Sequence, residues 1–258
     1  MLSSPRIASL AAFVTVAAAQ SLHVDNLCSV PVFLFTQTSF GSISNNVHLA
    51  AGQTGYGMGI SSNWDGAINV GTGCNSDGSS CVTGGPQWDG ATPFSRAEFN
   101  YYKIPGSVTY DISLIYGFNV GMKITSADTS CAQFSCALGE LNSCPIPGPG
   151  TLSTCYSPCC SSAAACAGGA LPAGGGGCVN NAGPGPRSPY YYNNCPNAYA
   201  FPDNDGANGY TPANFVDETC GNTAITLTLC PGTTSHLAKR SFSEVHGQRD
   251  VEIIHDEA

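Results

Sequence analysis

Fourteen cysteines carry most of the reactive side-chain chemistry in this 258-residue chain: Cys28, Cys74, Cys81, Cys131, Cys136, Cys144, Cys155, Cys159, Cys160, Cys166, Cys178, Cys195, Cys220 and Cys230. Thiols in such numbers either oxidise to disulfides or bind metal as thiolates. Metal sites of the zinc type need closely spaced ligand pairs such as C-x-x-C, with further cysteines or histidines behind them. No C-x-x-C pair occurs here, and none of the five histidines lies between Cys131 and Cys195, where nine of the cysteines fall. The even count and the missing metal spacing predict a complete disulfide framework, no metal and no cofactor.

Disulfides require an oxidising compartment, and the start of the chain supplies the address. Arg6 provides a positive n-region, Ile7 to Val16 an apolar core, and Ala17-Ala18-Ala19 a small-residue cleavage site before Gln20. Residues 1–19 are therefore predicted to be a signal peptide, too short to span a bilayer, and no later apolar run approaches the required length. A secreted protein of the extracellular space or cell wall follows, without a membrane partner. At the other end, residues 233–258 form a polar, cysteine-free tail containing the dibasic pair Lys239-Arg240. That pair suits a propeptide cleaved after Arg240. The formal net charge is −9, an acidic balance that argues against nucleic acid, whose binding depends on neutralising phosphates.

The elements that must position any site read as strands. With 31 Gly, 17 Pro and only 10% charged residues, the chain consists of short apolar runs broken by turn residues, and 42% hydrophobic residues suffice for a core. Leu22 to Asp25, Ala97 to Tyr102 and Val108 to Ile115 alternate with period two. Val30 to Phe35 and Ala224 to Leu229 are further β-rich runs. The fold class expected is all-β, a flattened antiparallel β-sandwich over residues 20–130 and 196–232 with a disulfide-rich second domain at 131–195. Within that second domain Ala132 to Leu141 is the one predicted helix, Ala170 to Ser188 a flexible insertion, and Tyr190-Tyr191-Tyr192 a surface loop or packing cluster. So little apolar surface for its length means that crosslinks must offset the entropy of the segment.

Four blocks, in order, give the chain its resemblance. They are His23-Val24-Asp25-Asn26-Leu27-Cys28; Gly66-Ala67-Ile68-Asn69-Val70-Gly71-Thr72-Gly73-Cys74; Ala97-Glu98-Phe99 with Tyr110-Asp111-Ile112-Ser113-Leu114-Ile115-Tyr116-Gly117-Phe118-Asn119-Val120; and Cys195-Pro196-Asn197-Ala198-Tyr199-Ala200-Phe201-Pro202-Asp203-Asn204-Asp205. Over residues 22–231 the chain resembles the thaumatin-like proteins, and its dibasic tail fits a fungal member. The second block matches the family's Gly-Arg-Ile-Trp-x-Arg-Thr-x-Cys signature with both arginines and the tryptophan replaced. Large members carry one bridge more, lost here where their Thr-Gly-Asp-Cys-Gly-Gly motif shortens to Thr83-Gly84-Gly85. The resemblance implies the pairs Cys28–Cys230, Cys74–Cys81, Cys131–Cys220, Cys136–Cys195 and Cys144–Cys155, with Cys159, Cys160, Cys166 and Cys178 in two further bridges.

The resemblance also implies a cleft, lined in the family by one Arg, one Glu and three Asp and associated with β-1,3-glucans. Carried over, the Glu falls on Glu98 and the first Asp on Asp111, while the second Asp falls on Tyr116 and the Arg on Gly71. The last Asp falls on Asp203 or Asp205. Glu98 and Asp111 are the catalytic candidates, since glycosidic cleavage uses one carboxylic acid and one carboxylate flanking the bond. Arg96, two residues before Glu98 on the same strand face, is positioned to replace the lost guanidinium. Arg96, Tyr116, Phe118, Asp203 and Asp205 are the binding candidates. The function expected is binding of cell-wall β-1,3-glucan by a monomer with a wall-remodelling or antifungal role. The alternatives are a weak endo-β-1,3-glucanase and an extracellular protein-binding effector or inhibitor.

Overall fold

The computed structural model describes residues 20–87, 89–137, 139–150, 153–166, 180–221 and 223–232. The expected signal peptide at residues 1–19, the tail from 233 onward, Cys178 and residues 170–179 of the expected insertion lie outside the described residues.

Eleven strands form two sheets. In chain order they are β1 (Ser21–Asn26), β2 (Val32–Phe40), β3 (Val47–Leu49), β4 (Tyr56–Met58), β5 (Asp65–Thr72), β6 (Arg96–Asn100), β7 (Ser107–Ser113), β8 (Met122–Ser126), β9 (Phe134–Cys136), β10 (Asp217–Gly221) and β11 (Ala224–Leu229). One sheet runs β4-β1-β11-β8-β9 and the other β10-β7-β6-β5-β2-β3. All pairings are antiparallel except β1 with β11, which lie parallel from Ser21↔Ala224 to Asn26↔Leu229. The first and last strands are thus neighbours, and the Cys28–Cys230 disulfide joins them just beyond their ends. Closing a loop of that length removes about 4–5 kcal/mol of unfolded-state entropy in the chain-entropy treatment. The all-β fold class is as expected from the sequence.

Side-chain alternation explains the packing. Leu22, Val24, Leu227 and Leu229 of the first sheet face Leu34, Ile68, Val70 and Ile112 of the second, all buried in one core. β1 and β11 alternate buried and half-buried positions, as strands with one face in the core should. β6 is buried at all five positions and β7 at six of seven. Their second face is polar.

The cysteine-rich segment contributes to the same core. Phe134, Leu141 and Tyr191 join it, and β9 extends the first sheet by pairing with β8. The predicted helix from Ala132 to Leu141 is therefore corrected: Phe134–Cys136 is strand, with Phe134 completing the sheet's apolar face and Cys136 bonded to Cys195. Tertiary packing overrides the helix preference of the flanking residues. The helices lie elsewhere, α1 at Ala163–Cys166 and α2 at Ser188–Asn194. The tyrosine run belongs to α2, where Tyr191 is buried and its hydroxyl donates to the Tyr156 carbonyl. Pro189 in the first turn suits a helix start, because its missing N–H would have no partner there anyway.

The remaining bridges in the structure are Cys74–Cys81, Cys131–Cys220, Cys144–Cys155 and Cys160–Cys166, and Cys159 is also disulfide-bonded. Among the described residues no cysteine is free and no helix is long and apolar enough to cross a membrane.

Candidate functional site

The polar face of the second sheet follows from period two. On β6 the odd-side residues Ala97 and Phe99 enter the core, so Arg96, Glu98 and Asn100 take the opposite face. On β7 the core takes Val108, Tyr110 and Ile112, which leaves Thr109, Asp111 and Ser113 beside them. Register then sets the contacts. Glu98 lies directly opposite Asp111, and Arg96 opposite Ser113. Asp111 in turn lies opposite Asp217 on β10. Glu98, Asp111 and Asp217 thus form a row of three carboxylates across adjacent strands, where Cβ atoms of direct partners stand about 4.5–5.5 Å apart.

Arg96 supplies the positive charge. It is 6% exposed and lies 3.4 Å from Glu98 through Nη1 and Oε1. Its Nε donates to Asn69 Oδ1 at 2.8 Å and its Nη2 to Gln37 Oε1 at 2.7 Å. The guanidinium carbon lies 4.1 Å from the centre of the Tyr116 ring, a cation–π contact. Tyr116 stacks on Phe94 with ring centres 5.3 Å apart, so it acts as a seat for Arg96 and is only partly available as a bare platform.

At Gly71, where the resemblance places the family's arginine, a Cβ would lie 2.7 Å from both Cys74 Sγ and Phe35 Cε2. The disulfide hairpin and Phe35 fill that space. The neighbouring replacement, Asn69, holds Arg96 with its oxygen, and its Nδ2 faces the Gly85 and Pro86 carbonyls.

Asp111 is the most constrained acid. It is fully buried, and apart from the facing Glu98 carboxyl no hydrogen-bond partner reaches its oxygens. Burial pushes its pKa well above the ordinary aspartate value of 3.8, the Glu98 and Asp217 charges push it further, and Arg96 only partly opposes them. Tyr199 sits in the same field. Its hydroxyl is raised by burial and by Asp217, Asp205, Asp111 and Glu98, in that order.

Backbone contacts fix Tyr199 there. Its N–H donates to the Ile112 carbonyl and its carbonyl accepts from Leu114 N, both at 2.8 Å, beyond the end of β7. The Ser157 hydroxyl donates to the Ile115 carbonyl at 2.5 Å, tying the cysteine-rich loop to the same strand exit.

The other candidates divide. Asp205 is half-buried and lies close enough to act on Tyr199, while it accepts from Ala207 N at 2.8 Å. Asp203 is buried and accepts from Asn181 N and Asn208 Nδ2, which makes it a loop anchor. Phe118 is corrected as a binding candidate: it is 0% exposed within the core and presents no surface to a ligand. Asp217 joins the site without a local sequence signal: Asp217-Glu218-Thr219 is uniformly polar, and only the pairing of β10 with β7 brings it opposite Asp111.

Beside Glu98 runs a groove along β2, β5, β6 and β7, lined by Gln37, Ser39, Asp65, Gly66, Asn100 and Thr109. Its cavity volume of about 40 Å³ has room for a few waters and not for a whole sugar ring. Two side-chain clusters have metal-like composition, Asp128-Cys131-Cys220 and Cys136-Glu140-Cys195. In each, the two sulfurs are already bonded to each other.

Comparison with known proteins adds the lineage. Residues 26–231 match the Thaumatin family. A pathogenesis-related thaumatin-like protein 3.2 of Cryptomeria japonica is 29% identical over 213 residues, covering 75% of this chain and 83% of the relative. A protein of Prunus avium named glucan endo-1,3-beta-glucosidase is 25% identical over 234 residues, covering 83% and 91% respectively. Among solved structures, that of the thaumatin-like xylanase inhibitor TLXI aligns at 15% identity with a TM-score of 0.43, over 81% of this chain and 99% of that one.

Proposed function

The chain belongs to the thaumatin family, and on that premise we propose that it is a secreted protein that binds cell-wall β-1,3-glucan along the polar face of β6 and β7. The observation that carries this reading is the face itself. Arg96, Glu98, Asp111 and Ser113 are all buried and polar, on strands whose other side already fills the core. Proteins seldom bury charged groups in such a row without a use, because each costs free energy. Half-exposed Tyr116, Asp205 and Asp217 stand at the rim. Carboxylates accept from sugar hydroxyls, a guanidinium donates to them, and a ring packs on the sugar face. The Prunus avium relative's name makes β-1,3-glucan the first ligand to test.

The geometry favours binding over hydrolysis. Cleavage needs two carboxyl groups that both reach the glycosidic bond or its attacking water. Glu98 lines the groove, whereas Asp111 is 0% exposed behind it, where burial and the neighbouring Glu98 and Asp217 carboxyls raise its pKa well above the usual aspartate range. Asp111 therefore does not face the sugar.

A titration of the secreted protein with laminarin, followed by amide NMR, tests the reading. Shifts should concentrate in residues 96–100, 109–113 and 217–219, with no release of reducing sugar. Saturating laminarin that leaves those amides unmoved would sink the proposal, and steady release of reducing ends would replace it with catalysis.

A further inference from the structure

Five large hydrophobic side chains are exposed among the described residues, and only two of them, Phe40 and Tyr102, are aromatic. These two touch, with ring centres 4.1 Å apart. They are 44% and 50% exposed, and Ile104, 38% exposed, lies on the same turn. Neither ring is placed by chance. Phe40 ends β2 opposite Asp65, which lies opposite Asn100 on β6. Asn100 Oδ1 accepts from the backbone N–H groups of Tyr102 and Lys103 at 3.0 and 2.8 Å, folding the chain so that Tyr102 meets Phe40. The groove beside Glu98 is lined by Ser39, Asp65 and Asn100, the immediate chain or strand neighbours of these two rings.

We propose that Phe40 and Tyr102 form an aromatic subsite for a pyranose ring at the end of this groove, so that one glucan chain spans from Glu98 to the ring pair. This rests on the glucan-binding reading above and extends it to a second contact point. A sugar presents an apolar C–H face and a polar hydroxyl edge. The ring pair offers the apolar surface, and Ser39, Asp65 and Asn100 offer polar groups next to it. Tyr102 lies four residue steps beyond Glu98, at most about 14 Å of chain, which a short oligosaccharide bridges. The patch is too small for a protein partner, since two half-exposed rings and one isoleucine fall far below the roughly 800 Å² per side of a stable interface.

The test is calorimetry of the full secreted protein with β-1,3-linked glucose disaccharide and hexasaccharide. Wild type should bind the hexasaccharide more tightly. The double variant Phe40→Ala/Tyr102→Ala should lose about five- to tenfold of hexasaccharide affinity, the loss expected of a stacking platform, and leave disaccharide affinity unchanged. Tyr102→Phe keeps the ring and should bind as wild type does. Hexasaccharide affinity equal in wild type and double variant, while Glu98→Gln weakens both ligands, would overturn the subsite and leave the cleft reading intact. Failure of wild type to bind either ligand would overturn the cleft reading, and the subsite with it.

Discussion

Asp111→Asn should stabilise this protein at neutral pH, against the general rule that mutations in buried positions destabilise. The carboxyl is fully buried, has carboxylates in register on both sides, and has no hydrogen-bond partner beyond Glu98. Its pKa is raised in the folded state above the ordinary 3.8. In the unfolded chain the proton leaves near that ordinary value, while the fold retains it. Stability contributed by the bound proton is complete below pH ~4 and falls as pH rises, by up to about 1.4 kcal/mol per pH unit, until the folded pKa is passed. An asparagine has the same shape, carries no charge, and can donate to Glu98 and Asp217. Relief of a buried, poorly satisfied polar group is worth about 1–3 kcal/mol. For a body of this size each kcal/mol moves the melting midpoint by about 2–4 °C, so the midpoint should rise by roughly 2–12 °C at pH 7. Calorimetric melting of both proteins from pH 3 to 8 reads this directly, and the gap should close at the acid end. An Asp111→Asn midpoint at or below wild type at pH 7 would refute the reasoning, as would a gap independent of pH.

Arg96→Ala should cost about 3–5 kcal/mol in chemical denaturation, because it leaves Glu98 buried without its cation and empties the seat on Tyr116. A cost below 1 kcal/mol would mean that water replaces the guanidinium. Gly71→Ala should cost about 1–3 kcal/mol, since its Cβ meets the Cys74 sulfur and Phe35; an unchanged denaturation midpoint would show that the hairpin moves aside freely. Glu98→Gln should weaken laminarin binding about fivefold, the difference between a charge-assisted and a neutral hydrogen bond, and unchanged affinity would place the ligand elsewhere.

Much of the sheet was readable from alternation. The Ala224 to Leu229 run is β11 residue for residue, and the Arg96-x-Glu98 and Asp111-x-Ser113 spacings put these polar groups on one face. Strand pairing, which no local pattern fixes, brings Asp217 to Asp111 from 106 positions further along the chain. Period-two signals were weak there because β10 spans only five residues. Ala132 to Leu141 misled for the opposite reason: its composition suits a helix, but the sheet edge and the Cys136–Cys195 bridge draw Phe134–Cys136 into a strand. Exposure, which separates Phe118 in the core from Tyr116 at the rim, is a property of the fold and not of either residue's type.

The central claim is that the polar face of β6 and β7 holds β-1,3-glucan. Retention of the purified protein on insoluble β-1,3-glucan, with soluble laminarin as competitor, tests it most directly. The account predicts that the protein sediments with the glucan, is released by laminarin, and is retained less well after Glu98→Gln. Protein that stays in the supernatant at every glucan concentration would contradict it.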